Sequence, residues 1–344
     1  MRFPRPRRLL LAPVALLALA PGALASALAR PTELPSPERG LNLLVVGVDT
    51  RAGLTADEKE RFRLGGQGCD CTDVIMLVHV SAANDRVSVV SLPRDSLAEL
   101  PGPHTDRRTG AVHDPHLAKM NAAHAEGGSS LAVETVEAMT GLDVHRYLEI
   151  DFRRFMDTVD RIDGGVAVCT ATPLKDSATG LDLAAGTTRV GGGEGTQYVR
   201  SRKADAEMDF GRIRKQQKFL VNTLDRVRSD GILADPAKLK ALASTLRGTA
   251  AAERGISTAE LLTLAARLKA VGPSRFELAT VPVRGFNPNI AGVGSTVGWD
   301  EEGAAEVFDR LRQDLPLPPG DAVAPSEIPV ADYEPARGSS LICP

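Results

Sequence analysis

Three apolar segments constrain the fold of this chain more than any other feature. Residues 41–48 (LNLLVVGV) form a continuous apolar run, which is typical of a strand covered on both faces. Residues 74–80 and 86–92 form two more strands, and only the five residues SAAND separate them. So short a connection predicts an antiparallel hairpin. These segments therefore predict a sheet that is buried inside the domain.

Helical and strand-like segments alternate along the rest of the chain. Ser129 or Ser130 is placed to cap a helix that ends before Gly141, and Ser257 and Glu260 form a capping box at the beginning of another helix. The remaining segments are a strand at 147–150, a helix at 152–162 and strands at 166–170 and 276–283. This alternation predicts an α/β layered sheet with some antiparallel pairing.

Charged residues stand at the ends of the first three strands. Asp49 follows the first strand, Asp73 precedes the second and Arg94 follows the third. Hairpin geometry places the beginning of the second strand beside the end of the third, so we expect Asp73 close to Arg94. If the first strand runs parallel to the third, Asp49 opens onto the same edge. Open α/β sheets bind ligands at such edges.

A helix over residues 209–227 is predicted to direct polar groups inward. At about 100° per residue, Asp209, Arg212 and Gln216 share the face that buries apolar residues further along the helix. The apolar residues expected on that face are Ile213, Leu220, Leu224 and Val227. The residues expected on the opposite, solvent side are Arg214, Lys215 and Lys218.

These inward side chains suggest an anion site. Buried charges are costly unless they are paired or bind a ligand, and a helix N-terminus favours anions. A guanidinium suits phosphate oxygens, and Arg94, Arg200 and Arg202 are expected to approach Arg212. Several arginines beside carboxylates favour a polyanion held with a divalent cation. The alternative is a structural ion pair between Asp209 and Arg212.

The N-terminal segment is typical of export. Four arginines lie within residues 1–8, and residues 9–29 are uncharged and long enough to span a bilayer. Residues 1–29 are therefore predicted to be a signal peptide or an N-terminal membrane anchor. The rest of the chain would face outward, because the arginines stay inside. A formal net charge of −3 and an aromatic content of 4% disfavour nucleic-acid binding.

Proline-rich segments flank a single predicted domain. Residues 30–40 read as a linker, and residues 315–344 read as a Pro-rich, irregular C-terminal tail. No repeat and no second linker interrupts residues 41–314. One domain is the simplest interpretation of that length.

Four cysteines suggest disulfides in an exported chain: Cys69, Cys71, Cys169 and Cys343. Three pairings are possible. A local bridge between Cys69 and Cys71 would leave Cys169 to tie Cys343 and the tail. A zinc site is the alternative for the Cys-x-Cys pair, but no His/Cys partner pair lies nearby in the sequence.

The histidines and a glycine-rich run have no predicted chemical role. His79 lies in a strand, whereas His104, His113 and His116 lie in a polar loop and lack the spacing of metal ligands, so packing or surface positions are expected. Residues 191–195 (GGGEG) lack the Lys-Ser/Thr of a phosphate-binding loop. A flexible turn is expected there.

Five short motifs occur in order over residues 41–220. They are G-x-D-x-R at 47–51, T-D at 72–73, P-R-D at 93–95, K-x-N-x-A at 119–123 before a glycine pair, and R-x-R at 200–202 followed by D-x-x-R-x-x-x-Q at 209–216. As an ordered set they resemble the motifs of the LytR-CpsA-Psr (LCP) family. The insertion between Asp49 and Asp73, which carries Cys69 and Cys71, departs from the family pattern.

The resemblance implies a fold and a function. The fold would be a single LCP-type domain, a three-layer α/β/α sandwich with a mixed central sheet and an apolar pocket for a prenyl chain. Such proteins transfer a cell-wall glycopolymer from a polyprenyl-pyrophosphate carrier to peptidoglycan, with a phosphodiester link as the product. The implied partners are the lipid-linked glycopolymer, the peptidoglycan acceptor and the cytoplasmic membrane, and Mg²⁺ is the implied cofactor. The catalytic domain would be extracellular, anchored to the membrane or secreted if the leader is cleaved.

The resemblance also implies site residues. Asp49 and Asp73 would bind Mg²⁺, and Asp209 would orient the arginines. The implied pyrophosphate-binding residues are Arg94, Lys119, Arg200, Arg202, Arg212 and Gln216. The implied catalytic residues are Arg94, Arg212, Asp73 and Asp209. The sequence leaves the general base open: Asp73 and Asp95 are candidates if either lies near the acceptor hydroxyl, and the alternative role for each is a metal ligand or an ion-pair partner.

Two other functions stay open at this point. One is a polyprenyl-pyrophosphate phosphatase that uses water as its acceptor. The other is a non-catalytic wall protein that binds lipid-linked glycan and regulates or senses. Turnover without an acceptor distinguishes the first, and binding without turnover distinguishes the second.

Overall fold

A mixed six-stranded sheet forms the centre of the computed structural model, which describes residues 34–35, 37–66, 68–202, 208–246 and 254–344. The first strands are β1 (Leu41–Val48), β2 (Thr72–Val80), β3 (Val87–Ser91), β4 (Leu97–Leu100), β5 (His104–Thr105), β6 (Val112–His113), β7 (His116–Lys119) and β8 (Arg146–Ile150). The others are β9 (Val166–Thr170), β10 (Leu174–Asp176), β11 (Leu181–Leu183), β12 (Gly186–Val190), β13 (Phe276–Thr280), β14 (Val283–Ile290), β15 (Gly294–Trp299) and β16 (Ala336–Arg337).

Helices cover this sheet and connect its strands. They are α1 (Ala56–Arg61), α2 (Ala122–Thr140), α3 (Phe152–Asp160), α4 (Gly192–Arg200), α5 (Met208–Ser229), α6 (Pro236–Thr245), α7 (Thr258–Leu268) and α8 (Glu301–Arg312). The leader predicted at residues 1–29 lies outside the described residues. Among the helices that are described, none has the length and apolarity needed to cross a bilayer.

The central sheet has the strand order β16-β13-β3-β2-β1-β8. Strand β2 pairs antiparallel with both β1 and β3, so the predicted hairpin is confirmed. Strands β1 and β3 therefore run in the same direction, and each has a parallel neighbour on its other side, β8 and β13 respectively. This topology brings the end of β1, the beginning of β2 and the end of β3 to one edge of the sheet.

Apolar side chains alternate along the strands and build a core on each face. On one face Leu44 and Val46 pack in a cluster with Val136 of α2 and Phe308 of α8. On the other face Leu43 belongs to a cluster that includes residues of α5 and α7. Side chains on both faces of β1 are buried, which explains why residues 41–48 read as one apolar run. The predicted three-layer α/β/α arrangement with a mixed sheet is confirmed.

Helix α2 begins earlier than the sequence predicts. Its first residue is Ala122, and Gly128 interrupts it with φ 71° and ψ −155°. Only glycine adopts that conformation easily, so the glycine breaks the helix into two segments. Ser129 and Ser130 therefore stand just after an internal kink, and Gly141 ends the helix in a left-handed conformation as expected.

The side of α5 predicted for two residues is wrong. Lys215, expected on the solvent side, is buried, and Leu224, expected on the buried face, is 37% exposed. The C-terminal tail crosses the side of α5 that was expected to face solvent: Arg214 donates to the carbonyl of Val330 at 3.2 Å, and Asn222 donates to that of Leu341 at 3.0 Å. Helical phase locates one buried face but gives no sign of a second one.

The tail is more ordered than its proline content predicts. Residues 336–337 add β16 to the edge of the central sheet beside β13. A disulfide joins Cys169 of β9 to Cys343, and a second joins Cys69 to Cys71. These are the two pairs considered in the sequence analysis. The bond between Cys169 and Cys343 fastens the tail to the body of the domain.

The flexible turn predicted at residues 191–195 is wrong. Gly191 is the N-cap of α4, and the next glycines form its first turn. The absence of side chains lets α4 approach α3 closely, since a Cβ on Gly192 would lie 2.4 Å from the carbonyl oxygen of Met156. The glycines are thus packing residues of a helix pair.

Gly192→Ala is expected to destabilise the domain by about 1–3 kcal/mol, because the added methyl group meets the backbone of α3. The free energy of unfolding, measured by denaturant titration, tests this expectation. Gly65→Ala is the matched control, since a Cβ there has nothing within 4 Å. Equal stability of Gly192→Ala and the wild type would contradict the close packing of α3 and α4.

Candidate active site

Asp209, in the first turn of α5, is the centre of an ion-pair network. Its Oδ1 lies 2.9 Å from Nε of Arg202. Its Oδ2 lies 3.4 Å from Nη2 of Arg212 and 3.8 Å from Nε of Arg94. Three of the four arginines named from the sequence therefore meet on one carboxylate.

Arg94 follows β3, and its side chain reaches the beginning of β2. It donates through Nη1 to Oδ1 of Asp73, as the hairpin geometry predicts, and its Nε lies 3.7 Å from Oδ2 of Asp95. Burial disfavours the charged guanidinium, but attraction to Asp73, Asp95 and Asp209 outweighs burial, so the pKa of Arg94 is raised. Arg94 is therefore a permanent cation among carboxylates.

Arg212 is the most deeply buried arginine of the group, with 4% of its surface exposed. Burial lowers its pKa to about 10, although Asp209 partly opposes that change. The Nε atoms of Arg212 and Arg94 are buried and lack a hydrogen-bond partner among the described residues. A buried donor without a partner is costly, so both guanidiniums are suited to an anion that accepts from them.

Arg200 and Gln216 complete the polar side of the site. Arg200 donates to the carbonyls of Phe62 and Arg63 at 3.3 Å each. Its pKa is lowered, first by burial and then by the neighbouring charge of Arg51. Gln216 is buried and donates to the carbonyl of Val199 at 3.1 Å, which ties α5 to α4.

Asp49 is held by an arginine that sequence reasoning left without a role. Arg51 pairs with both carboxylate oxygens of Asp49, Nε with Oδ1 at 3.0 Å and Nη2 with Oδ2 at 3.2 Å. The G-x-D-x-R motif contains this pair, so its spacing was the available signal. Arg51 brings another cation to the same edge of the sheet.

Lys119 is connected to Arg94 through Asp95. Its Nζ is 3.4 Å from Oδ1 of Asp95, and Asp95 in turn contacts Arg94. Both candidate bases, Asp73 and Asp95, are therefore already paired with the same guanidinium.

A cavity of about 220 Å³ opens between the central sheet and helices α3 and α5. Its walls are mainly apolar, with Met76, Ile150, Phe155, Phe219 and Leu220 among them. The charged and amide groups that line it are Asp49, Asp73, Asp151, Arg200, Arg212 and Gln216. One cavity thus combines an apolar body with a charged region, which suits a ligand that is apolar at one end and anionic at the other.

Two of the carboxylates in the cavity, Asp49 and Asp73, fit a magnesium ion. Mg²⁺ prefers hard oxygen ligands and is commonly bound by one or two carboxylates together with substrate phosphates. Asp49 and Asp73 supply such oxygens from neighbouring strands, and both face the same cavity. Each already has an arginine partner, but a carboxylate has about four lone-pair positions, so room for a cation remains.

Fold and site together define an α/β/α sandwich in which arginines and carboxylates meet in an otherwise apolar cavity. The chain belongs to the LytR_cpsA_psr family, whose model matches residues 25–313.

Two curated relatives illustrate the likeness in sequence. The probable cell wall biosynthesis protein LcpB of Corynebacterium glutamicum is 34% identical over 274 residues, which cover 79% of this chain and 61% of LcpB. The polyisoprenyl-teichoic acid–peptidoglycan teichoic acid transferase TagV of Bacillus subtilis is 29% identical over 178 residues, 50% of this chain and 43% of TagV. The chain thus matches about three fifths or less of the length of these relatives.

Solved structures show the same fold. The crystal structure of B. subtilis TagV aligns with a TM-score of 0.60 and 21% identity, over 82% of this chain and 100% of TagV. A structure of TagT bound to LIIa-WTA aligns with a TM-score of 0.57 and 23% identity, over 83% of this chain and 94% of TagT. At this level of identity the likeness supports the fold alone.

Proposed function

We propose that this protein transfers a cell-wall glycopolymer from a polyprenyl-pyrophosphate carrier to peptidoglycan and forms a phosphodiester link. The observation that carries the proposal is the cavity, because arginines stand beside an apolar chamber between sheet and helices. A prenyl chain would occupy the apolar part, and the pyrophosphate would reach the arginines. The name of TagV, a teichoic acid transferase to peptidoglycan, supports the same reaction class.

The arginines would hold the two phosphates. Arg94 and Arg212 have buried Nε donors that await an acceptor, and Arg200 lines the cavity beside them. Asp209 would keep Arg94, Arg202 and Arg212 in place. Gln216 supports this arrangement, and Lys119 would contact phosphate from the outer side. Guanidinium pairs suit phosphate because their forked donors match its oxygens.

The transfer would proceed by substitution at phosphorus. A hydroxyl oxygen of the wall sugar attacks the phosphorus nearest the glycan and forms the new P–O bond. The bond from that phosphorus to the bridging oxygen breaks, and the lipid leaves as its monophosphate. The hydroxyl proton passes to a carboxylate, and of the two candidates Asp95 is the one that is not also assigned to Mg²⁺. Positioning and neutralisation of charge by the arginines would supply most of the acceleration.

Asp49 and Asp73 are the residues that would hold Mg²⁺. Bound there, the ion would supply charge stabilisation on the phosphate oxygens. The predicted leader at residues 1–29 would keep the domain at the outer surface of the cytoplasmic membrane, where both the lipid carrier and the wall acceptor are accessible.

A reconstituted assay tests the proposed function. The full chain in detergent would be mixed with Mg²⁺, a polyprenyl-pyrophosphate-linked saccharide and purified peptidoglycan, and release of polyprenyl monophosphate would be measured. We expect release that depends on peptidoglycan and is lost in Arg212→Ala. Arg214→Ala is the matched control on the same helix, because its guanidinium contacts the tail at Val330.

The other outcomes identify the competing functions. Release at full rate without peptidoglycan would indicate a phosphatase. Binding of the lipid without any release would indicate a sensor or binding protein. Equal release by the wild type and Arg212→Ala would contradict the arginine site itself.

Chelation is expected to stop the transfer. EDTA should abolish release of the lipid monophosphate, and excess Mg²⁺ should restore it, because the charge stabilisation that the ion would supply on the phosphate oxygens is lost in the chelator. Asp49→Asn combined with Asp73→Asn should leave little release at any Mg²⁺ concentration. Undiminished release in the chelator would overturn the magnesium proposal.

A further inference from the structure

Away from the arginine network, two histidines converge on one carboxylate. His104 of β5 and His116 of β7 each place Nε2 3.3 Å from Oε2 of Glu126 in α2. One ligand atom from each of the three residues lies within 4.8 Å of the others. His104 and Glu126 are each 11% exposed and His116 is 33% exposed, so the cluster is enclosed but open on one side.

The hydrogen bonds of the two rings fix which nitrogen faces the carboxylate. Nδ1 of His104 lies 2.8 Å from the carbonyl oxygen of Pro101, and Nδ1 of His116 lies 3.1 Å from that of Asp114. A carbonyl only accepts, so each Nδ1 carries its proton. With Nδ1 engaged in this way, Nε2 of each ring is the nitrogen that faces Glu126. A metal ion between the Nε2 lone pairs and the carboxylate would satisfy all three groups.

The distances suit a tetrahedral metal. Zinc binds His nitrogen and carboxylate oxygen at about 2.0–2.2 Å, so two ligands of a tetrahedral ion lie about 3.3–3.5 Å apart. Both His–Glu separations are 3.3 Å. Metal-bound histidines also commonly donate their other N–H to a backbone carbonyl, as both rings do here.

We propose that His104, His116 and Glu126 bind a divalent transition metal of the Zn²⁺ class, with water in the fourth position. Two imidazoles and one carboxylate favour zinc over magnesium or calcium, which prefer ligand sets made of oxygen alone. The three ligands come from β5, β7 and α2, so the ion would tie the loop between β4 and β7 to the first segment of α2. The proposal is independent of the glycopolymer reaction.

Neighbouring groups border this site without belonging to it. Nε2 of His113 lies 3.8 Å from Oδ2 of Asp106, and its ring centroid is 5.3 Å from that of His116. Nη2 of Arg108 lies 3.9 Å from Oε1 of Glu126, which leaves Oε2 for the metal. His113 therefore provides a control of the same residue type.

Metal titration of the full chain tests the proposal. The tag-free protein is stripped with EDTA, dialysed and titrated with Zn²⁺ by calorimetry, and with Co²⁺ while visible absorption is recorded. We expect a single equivalent of Zn²⁺ with a Kd of about 1 μM or tighter. Cobalt should give the intense visible absorption bands of a tetrahedral site, whereas d¹⁰ Zn²⁺ gives no such bands.

Variants locate the ion. His116→Gln, the safest for folding because the side chain is one third exposed, should weaken zinc binding about 100-fold or more and remove the cobalt bands. His104→Gln and Glu126→Gln should do the same, whereas His113→Gln and the pair Asp49→Asn with Asp73→Asn should bind as the wild type does. An equal loss in His113→Gln, unchanged binding in His116→Gln, or no zinc binding by the wild type would each overturn the proposal.

Discussion

Arg94→Ala is expected to lower turnover about 10²–10³-fold, because it removes a donor aimed at the charge that develops on the transferred phosphate. Stability should change little: the melting temperature should fall by no more than about 2–4 °C. Arg94 is 22% exposed and its partner Asp73 is 29% exposed, and an ion pair that solvent partly reaches contributes modestly. Lys119 and Arg202 remain to neutralise the neighbouring carboxylates. Release of the lipid monophosphate and thermal melting measure the two quantities.

Arg86→Ala is the contrasting control for this prediction. Arg86 lies at the other end of β3 and donates to both the carbonyl and the carboxylate of Asp314, 2.6 and 2.8 Å away. Its loss should lower stability and leave turnover per folded molecule unchanged. If Arg94→Ala instead lost stability in the manner of Arg86→Ala, with unchanged turnover, Arg94 would be a structural ion-pair residue.

The second large effect is expected from the disulfide between Cys169 and Cys343. Replacing both cysteines by serine should lower the free energy of unfolding by about 2–5 kcal/mol, because the bond closes a loop across 174 positions and limits the unfolded chain. The measurement is denaturant unfolding of both proteins under non-reducing conditions.

Cys69→Ser with Cys71→Ser provides the matched control. That bond spans only 2 positions and restricts the unfolded chain far less, so its removal should lower the free energy of unfolding far less. Non-reducing peptide mapping of the wild type checks that both bonds form. Equal losses in the two double variants, or free thiols at Cys169 and Cys343, would contradict the assigned role of the tail disulfide.

Local pattern was sufficient for the elements that build the sheet. The run at 41–48, the five-residue connection at 81–85 and the capping box at Ser257 all depend on neighbours in sequence, and each appears where it was expected. The approach of Asp73 to Arg94 followed from the hairpin alone. The inward direction of Arg212 and Gln216 followed from helical period, and both are buried.

The failures arose where distant segments meet. Lys215 is buried on a helix that the tail crosses, more than 100 residues away along the chain, and the glycines at the start of α4 lie against α3. Arg51 stands within a motif, but its pairing with Asp49 appears only in the folded loop. His104 and His116 lie on two short strands and meet Glu126 of α2 only in the fold, which no spacing of histidines encodes.

Helix α5 lies between the cavity and the tail, which accepts a hydrogen bond from Asn222 on the outer side of the helix and is itself fixed at Cys343. The helix that carries Arg212 is thus clamped before any ligand arrives. Its guanidinium is preorganised: the entropy of fixing it is lost during folding and need not be lost again on binding. An anion that enters the cavity would therefore meet a rigid receptor, and the selectivity of that receptor would depend on shape and charge spacing rather than on adaptation.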